Sequence, residues 1–548
     1  MNPYMKRGIA LSALLSLVFC GGCKVGTDYS PTCASVNQSY IQVDETKGIR
    51  QEVGADVSSW WSQIQDPTLS RLTNEAVANN LTLREALYRI QSARATLGST
   101  QANAYPQFSE SGGYTYGRNG ALDTDYNDWT LVTSMSWELD IFGRLARATE
   151  VANANMEELR ELYRNAYVIL CADVARYYVN ARSYQEQIRI SEENIGIQRD
   201  TLQITRTKNE LGSASKLDES QALGVYKGTE SSILTLQTYY QQTLNQLSIL
   251  LGRTPGYVDG IMKETEDLGI PQAPEEILVG IPADLLRRRP DIRAAEQRVI
   301  AQNARVGVAI GDLYPIFTLN GSFGLDSDKL ENLFEGSSVN AAIGPSFRWN
   351  ILNFGKYRFN VEAQRFTHQE LIVAYREAVL EAAQQVDDSL VAYVNERDRV
   401  QTLSDAVDAY TDAYNLSKER YQSGQIDFQR LLDSQAGKLS YELQFIQCQA
   451  SMMASVVQLY RALGGDWMGS STPSAAEYLP TAQNGAGANN SVASNRAGEP
   501  GRYTTRREES ADPNAQWRER QERSRERVAM ALREDELLRE DEAPEPEL

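Results

Sequence analysis

The chain contains two copies of one building block, spaced about 210 residues apart. The recurring segments are Tyr105-Pro106 with Tyr314-Pro315, Trp137 and Phe142-Gly143 with Trp349 and Phe354-Gly355, and Gln246-Leu247 and Leu251-Gly252 with Gln458-Leu459 and Leu463-Gly464. A period this long indicates a duplicated domain, because solenoid repeats span roughly 20 to 50 residues. The fold of one copy therefore determines most of the molecule.

Each copy predicts the same order of elements: a helix, two strands, a long helix, a turn and a second long helix. In the first copy these are expected at 70–104, 107–117, 128–139, 144–210 and up to 252, with the turn at Leu211-Gly212-Ser213. In the second copy they are expected at 290–312, 316–325, 340–351, 356–422 and 428–464, with the turn at Gly424. At about 1.5 Å per residue, a helix of this length extends on the order of 100 Å, several times a globular helix.

The strands alternate apolar and polar residues. Trp129, Leu131 and Trp137 share one face, and Thr130 and Ser134 lie on the other. Such alternation is typical of strands between lipid and water, although an ordinary half-buried sheet has the same pattern. Known membrane barrels have at least about eight strands, so four strands can close a barrel only if several chains contribute, and three chains would supply twelve.

Pro345 falls inside the last predicted strand. Proline lacks a backbone N–H and cannot donate to a sheet ladder, so this residue predicts an edge or bulge position.

The N-terminus reads as a secretory signal peptide over residues 1–22. Lys6 and Arg7 precede an apolar run that is too short to span a bilayer, and Gly21-Gly22-Cys23 follows. A cysteine after small residues predicts a bacterial lipoprotein acylated at Cys23, in a lipidated segment 23–60. Cys20 stands where leucine is usual, and ordinary signal-peptidase cleavage nearby is the alternative. Lys24, rather than an aspartate, favours sorting to the outer membrane.

Composition argues against an enzyme. The only histidine is His368, so imidazole metal sites and Ser-His or Cys-His machinery are not expected, and no metal site is predicted. Cys33, Cys171 and Cys448 have no metal-like or disulfide spacing; the last two are expected as small helix-packing residues, and the role of Cys33 stays open. The net charge of -19 disfavours nucleic acid as a partner and fits an acidic surface or a carboxylate-lined lumen.

Several motifs, in order, carry a family resemblance. They are Cys23-Lys24-Val25-Gly26, Asp28-Tyr29 and Pro31; 289–297, 303–309 and Tyr314-Pro315; Gly344-Pro345-Ser346 and Trp349; Arg420-Tyr421, Gly424 and Leu432-Asp433-Ser434-Gln435; and 460–465 with Trp467. Over residues 23–467 the chain resembles the TolC-like outer membrane efflux protein family, in its lipoprotein (OprM/NodT-like) branch. Proline at the position of Pro345 is part of that resemblance.

The resemblance implies a mixed membrane α+β fold in a homotrimer. A twelve-stranded outer-membrane β-barrel, with four strands per chain, would continue into a long periplasmic α-helical barrel. The first repeat would occupy residues 61–260 and the second 261–467, and the loops 118–127 and 326–339 would face the cell exterior. The protein would be lipid-anchored in the outer membrane, with no cofactor besides the covalent lipid on Cys23.

The implied function is that of a passive exit duct. It would export small molecules delivered by an inner-membrane RND-type pump and a periplasmic adaptor. The alternatives are an exit duct for type I protein secretion and a structural envelope lipoprotein.

The two helical turns are the predicted site. The resemblance places adaptor contact at Gly212 and Gly424, which are also expected to cap the long helices. It places Asp218 and Asp433 in a periplasmic gate, where three copies of a carboxylate would attract cations. The alternative is that both aspartates cap or solubilise the returning helices.

In such a gate, each aspartate would be linked to a residue of a neighbouring helix, and this link, the latch, would hold the gate closed. Ile426 stands where some relatives have a latch arginine, which leaves Tyr421 and Arg430 as alternative partners. The two turns are expected to differ, with Leu217-Asp218 matching Leu432-Asp433 across an insertion of about two residues.

Residues 468–548 do not fit the repeat. Residues 471–500 are rich in Ala, Asn, Ser and Gly, which is typical of a linker, and 505–542 interleave arginine with acidic residues. This tail is expected to be an appendage, either an ion-paired helix or disordered, with peptidoglycan or adaptor contact as the open alternative.

Overall fold

The computed structural model describes residues 24–31, 40, 49–51, 64, 66–120, 123–265, 268–274, 277–279 and 288–464. The predicted signal peptide, Cys23, Cys33 and the 468–548 tail lie outside the described residues.

Eight α-helices are seen in the described residues. They are α1 (Pro67–Asn79), α2 (Leu81–Ala102), α3 (Arg144–Glu210), α4 (Lys216–Leu250), α5 (Tyr257–Glu264), α6 (Pro290–Gly311), α7 (Lys356–Gln422) and α8 (Phe428–Ala462). None of the helices in this part of the chain is both long enough and apolar enough to cross a bilayer.

Four long strands form one antiparallel sheet in the order β2 (Gln107–Asn119), β3 (Thr124–Leu139), β5 (Ile316–Ser327) and β6 (Val339–Arg348). Two three-residue strands, β1 (Ile49–Gln51) and β4 (Ile277–Val279), pair in parallel elsewhere. Pro345 lies in β6, opposite Leu319, so the prediction of an edge strand is confirmed for the single chain.

The first hairpin is longer than its sequence predicts. Most of the expected loop 118–127 is strand, because β2 continues to Asn119 and β3 begins at Thr124. Polar residues there suggested a loop, but cross-strand contacts hold them in the ladder. Tyr114 packs on Trp129 with ring centroids 4.4 Å apart, and its hydroxyl donates to Asn127 at 2.8 Å.

The predicted helix 70–104 is also two helices rather than one. Asn80 ends α1 and caps α2, where its side chain accepts from Leu83 N. The same side chain donates to the carbonyl of Leu250 at 2.8 Å, at the end of α4. A distant element therefore fixes this break, and no proline or glycine marks it.

The two copies have equal dimensions. The long helices α3 and α7 have 67 residues each, and α4 and α8 have 35 each. The glycines with positive φ that precede α3, follow α3 and follow α4 recur 212 positions later; they are Gly143, Gly212 and Gly252, with Gly355, Gly424 and Gly464. The expected insertion between the turns is therefore absent.

The element before each hairpin is duplicated as closely. Helices α2 and α6 have 22 residues each and are 209 positions apart. In both copies a tryptophan at the end of the second strand donates to the backbone just after this helix: Trp137, within β3, to Ala104 O at 2.9 Å, and Trp349, directly after β6, to Leu313 O at 3.0 Å. The helix–strand junction is thus held by the same hydrogen bond twice.

The buried core is divided in two. The larger cluster lies around the middle of the long helices and includes Val174, Tyr178 and Val386. Beside it, Asp66 caps α1 and accepts a hydrogen bond from the Tyr178 hydroxyl at 2.8 Å. A separate, smaller cluster lies at the turns between the long helices, and it organises the candidate site.

Candidate functional site

The two turns that join the long helices have the same backbone geometry. Gly212 and Gly424 have φ values of +74° and +76°, a left-handed conformation that favours glycine. The residue after each glycine donates back to the preceding helix: Ser213 N to Lys208 O, and Gln425 N to Arg420 O, both at 2.8 Å. This is the hydrogen-bond pattern of a helix-ending Schellman motif.

Asp218 caps the start of α4. Its carboxylate accepts from Ser215 N at 3.0 Å, and Ser215 Oγ accepts from Asp218 N at 3.2 Å, which together form a capping box. The capping alternative is therefore correct for Asp218.

Asp433 occupies a different position. The residue before α8 is Asp427, whose side chain makes no capping hydrogen bond within the described chain. Asp433 lies in the second turn of α8, is exposed, and accepts from Gln429 Nε2 at 2.8 Å. Asp433 therefore does not cap α8 within the described chain, and its exposed carboxylate fits the solubilising part of that alternative.

The constant spacing of the copies shows which residues correspond at the turns. Since α4 begins at Lys216 and α8 at Phe428, the counterpart of Asp218 is Arg430. The counterpart of Asp433 is Gln221, one helical turn further along. The expected match of Leu217-Asp218 with Leu432-Asp433 is therefore wrong, because it followed a shared dipeptide instead of helix position.

Tyr421 joins the two hairpins at their turns. Lys208 Nζ lies 4.0 Å from the centroid of its ring and donates to its carbonyl at 2.5 Å. The Tyr421 ring also packs against Phe428, with centroids 5.5 Å apart. Burial raises the pKa of Tyr421, and the negative charge of nearby Asp218 raises it further.

Ile426 and Arg430, the two other residues considered for the latch, differ in burial. Ile426 packs against the buried cluster that holds Tyr421, so an apolar contact stands where a latch arginine was considered. Arg430 is exposed and makes no ion pair with any other described residue. The structure of the single chain therefore brings Asp218 and Tyr421 together, and leaves Asp433 and Arg430 facing outward.

Lys208 and Glu219 lie beside the first turn and were not predicted from the sequence as site residues. Glu219 accepts from Asn209 at 3.0 Å and Lys216 at 2.7 Å, and lies 3.4 Å from Arg206 Nε. The hydrogen bond from Lys216 is the largest influence that lowers the pKa of Glu219. The only advance signal for Glu219 was its place in the first turn of a helix, where acidic residues are favoured.

A groove of about 840 Å³ crosses the strand-proximal parts of α2, α3, α6 and α7. Small residues share its lining with polar ones, among them Arg89, Thr96, Asn155, Asp312 and Gln364. Burial raises the pKa of Asp312. Among the described residues, no cluster of histidine, cysteine or acidic side chains is arranged to hold a metal ion.

The segment that follows Cys23 is fixed against α3. Arg147 is 2% exposed and donates to the carbonyls of Val25 and Gly26, both at 3.0 Å. Its guanidinium also lies 2.8 Å from Glu150 and 3.0 Å from Asp28. This buried arginine was not predicted, because three of its partners, Val25, Gly26 and Asp28, are more than a hundred residues away.

Lys24 lies at the junction of β3 and α3. It pairs with Glu150 at 2.5 Å, which is the main reason that its pKa is raised. Val25 N donates to Phe142 O at 3.1 Å, and a Cβ on Gly143 would lie 2.8 Å from Lys24 Cα. The residue after Cys23 therefore lies at the boundary between sheet and helices.

A four-stranded sheet joined to two very long helical hairpins defines the class of trimeric outer-membrane channels with a periplasmic helical barrel. The sequence model of the Outer membrane efflux protein family matches residues 72–253 and 281–465. The chain belongs to this family.

Relatives and solved structures agree with this assignment. The chain is 29% identical to Nodulation protein T of Rhizobium leguminosarum bv. viciae, over 84% of this chain and 91% of the relative. It is 30% identical to the toluene efflux pump outer membrane protein TtgF of Pseudomonas putida, over 84% and 96%. The outer-membrane channel OprN superposes with a TM-score of 0.73 at 28% identity, over 81% of this chain and all of that one. The Campylobacter jejuni CmeC channel, 21% identical, shares the fold with a TM-score of 0.74 over 81% and 95%.

The predicted fold class and location are confirmed. Three chains, with four strands each, form a twelve-stranded outer-membrane barrel that continues into a periplasmic helical barrel. The protein is the outer-membrane exit duct of an efflux system, in which it works with an adaptor and an inner-membrane pump. Members of its family are channels rather than enzymes.

Proposed function

We propose that this chain is the exit duct of an RND-type pump for small, mostly apolar toxic molecules. The support comes from relatives whose names specify toluene efflux and antibiotic efflux. A duct selects little by itself, so the pump would set the substrate range. Export of secreted proteins is the competing role.

We further propose that the turns form the periplasmic gate, with unlike contributions from the two copies. In a ring of six hairpins, three Asp218 would alternate with three Arg430 at one level, so their charges would compensate. One helical turn further along, three Asp433 would alternate with three Gln221, and nothing would offset the carboxylates. The observation that carries this proposal is that Asp433 is exposed and that, among the described residues, its only hydrogen-bond partner is Gln429.

The adaptor would contact the turns around Gly212 and Gly424. A Cβ on either glycine would have no described atom within 4 Å, so both turns are open surfaces. Leu211 and Leu217 expose apolar side chains at the first turn, and their counterparts, Ser423 and Gln429, are polar. The first turn would therefore offer the more apolar contact.

Cys23 would carry the lipid anchor. The support is the position of Lys24, held at the junction of β3 and α3, where a barrel embedded in the membrane meets the periplasm. An acyl chain on Cys23 would therefore reach the inner leaflet of the outer membrane, and no additional linker residues would be needed between the lipid and the barrel.

Planar-bilayer recordings of the purified trimer test the gate. Asp433→Asn is expected to raise single-channel conductance and lower cation selectivity, and Gln221→Asp to increase cation selectivity by adding carboxylates at the same level. Asp218→Asn should change selectivity less, since Arg430 offsets that charge. Unchanged conductance and selectivity in Asp433→Asn would count against the gate role.

A deletion strain tests the export role separately. Loss of the gene should sensitise cells to organic solvents and dyes and leave protein secretion intact. Normal solvent tolerance with defective secretion would favour the protein-export duct instead.

A further inference from the structure

The groove at the strand-proximal ends of α2, α3, α6 and α7 opens into the channel. Strands β3, β5 and β6 place Glu138, Thr318 and Ser346 side by side on one face of the sheet. The interior of a membrane barrel is polar, so this row lines the lumen. Arg144, in the first turn of α3, donates to both carboxylate oxygens of Glu138, at 2.7 and 2.8 Å. The start of α3 therefore continues the wall of the lumen.

The groove residues of α3 follow Arg144 along one side of that helix. Ala148, Val151 and Asn155 come four, seven and eleven positions after Arg144, and all three line the groove. This is the spacing of residues that share one helix face. The groove is therefore on the lumenal side of α3.

The N-terminal segment lies on the other side of the same helices. On α6, Asn303 donates to Thr27 O at 3.0 Å, and a Cβ on Gly26 would lie 3.0 Å from Gly307 Cα. Arg305 lines the groove and is two positions from both Asn303 and Gly307, which places it roughly 160° to 200° around the helix axis from them. The N-terminal segment is therefore outside the helical barrel, and the groove is inside it.

Arg305 supplies a charge that no carboxylate of the described chain offsets. Of the two arginines in the groove lining, Arg89 pairs with Glu85, whereas Arg305 has no ion pair with any described residue. Arg305 is exposed and donates to two neutral amides, Gln302 Oε1 at 3.2 Å and Asn155 Oδ1 at 3.4 Å. Since a guanidinium has five N–H donors, several remain for a ligand.

Asp312 is the single carboxylate among the described residues that line the groove. It is seven positions from Arg305 on α6, which is roughly 10 Å along the helix axis. Asp312 interacts electrostatically with Arg144 of α3 instead. The region around Arg305 is therefore positive, in contrast to the carboxylates of the proposed gate.

The rest of the groove suits the body of a small organic molecule. Its volume of about 840 Å³ lies within the usual range for small-molecule sites, about 300 to 1,000 Å³. Gln364 Oε1 accepts from Gln302 Nε2 at 2.8 Å, so the amide N–H groups of Gln364 stay available to an acceptor. The remaining lining is mostly small and apolar, and it includes Ala93, Ala148, Val151, Ala152, Val308 and Ala309.

We propose that this groove binds amphipathic organic anions, which have an aromatic or aliphatic body and one carboxylate or sulfonate group, on their way through the duct. The anionic group binds Arg305, with N–H donors of Asn155 and Gln364 beside it, and the body packs on the small apolar residues. Charge complementarity selects this occupant, because hydrogen bonds from a guanidinium to an anionic oxygen are stronger than those between neutral groups. The role in transport rests on the proposed export of small molecules.

The duplication predicts the number of sites. The counterpart of Arg305 in α2, 209 positions earlier, is Thr96. The counterparts of Ala148 and Ala152 in α7, 212 positions later, are Asn360 and Gln364. The second copy of the repeat therefore has neither the charge nor the small apolar floor at these positions. A trimer should have three such sites and not six.

Isothermal titration calorimetry tests the site with naphthalene-2-sulfonate as the probe. The full-length trimer is held in nanodiscs, and empty nanodiscs are the reference. Saturable binding of three probes per trimer is expected, and Arg305→Gln should weaken it at least tenfold. The Arg305 side chain is exposed, so folding should tolerate this change. Binding to the trimer no stronger than to empty nanodiscs would overturn the proposal.

The matched control is Arg298→Gln, which removes the same charge from the same helix. Arg298 pairs with Glu158 at 2.6 Å and is not among the residues that line the groove. This variant should bind the probe within twofold of the unmodified protein. Equal weakening in both variants would show a general attraction of the lumen for anions and would contradict a site at Arg305.

The apolar part of the groove needs a separate measurement. Ala152→Phe fills the floor and keeps Arg305, and it should also weaken binding at least tenfold while the trimer stays intact in size-exclusion chromatography. A naphthalene carrying a quaternary ammonium group should bind at least tenfold more weakly than the sulfonate, and equal affinity would refute the charge preference. Since neither pump nor adaptor is present, failure of binding leaves the export role standing, and the deletion strain tests that role by itself.

Discussion

The hold of Arg147 on the N-terminal segment can be tested with the substitution Arg147→Met, which keeps an unbranched, helix-compatible side chain. The variant loses two guanidinium–carbonyl hydrogen bonds, to Val25 and Gly26. Hydrogen bonds to charged groups contribute about 1.5 to 3 kcal/mol each. The segment is largely exposed, so water can replace part of this, and we take the lower end for each bond, about 3 kcal/mol in total.

That free energy corresponds to roughly a hundredfold larger opening constant for residues 24–31. Hydrogen exchange measured by mass spectrometry should show it as faster exchange of the peptide containing Val25, whose amide donates to Phe142 O. Arg189→Met is the control, since that arginine is about half exposed and its ion pairs lie within α3. Equal protection of the segment in Arg147→Met and the unmodified protein would refute the reasoning.

Two further predictions concern Asp218 and His368. Asp218→Ala should destabilise the α3–α4 hairpin by about 1 kcal/mol through loss of the capping box, and Asp433→Ala by less than about 0.5 kcal/mol; equal shifts in thermal unfolding would contradict the distinction. Burial lowers the pKa of His368, so the unfolded chain should take up a proton first and stability should fall as pH drops below about 6.5. Because His368 is the only histidine, His368→Gln should flatten the dependence of the melting temperature between about pH 5.5 and 7, and an unchanged slope would count against this.

The long helices were the most predictable part of the fold. The bounds expected for the first helix of each hairpin, 144–210 and 356–422, match α3 and α7. Glycines in left-handed conformation stand at both ends of these helices, and the interior has no proline, so local sequence suffices. The break at Asn80 has one local signal, since asparagine is a favoured N-cap and its side chain accepts from Leu83 N, but its second hydrogen bond, to Leu250 O, is contained in no local pattern.

The candidate site was less predictable than the fold. The sequence located both turns, but a shared Leu-Asp dipeptide suggested that Asp218 and Asp433 are equivalent. Their positions in α4 and α8 differ by one helical turn, and the residue of α8 that corresponds to Asp218 is Arg430. The contacts of Tyr421 with Lys208 depend on packing between residues more than two hundred positions apart, which spacing along the chain cannot supply.

The equal length of the two hairpins limits how such a protein can change in evolution. An insertion of seven residues in one long helix would lengthen that helix by roughly 10 Å. Its turn would then be displaced along the helix axis relative to the turn of the other copy. Among relatives of this protein, a length change in one of the four long helices should therefore be accompanied by equal changes in the other three, so that both hairpins keep the same length. A single unmatched length change in one copy should mark a lineage in which the docking partner at the turns has changed as well.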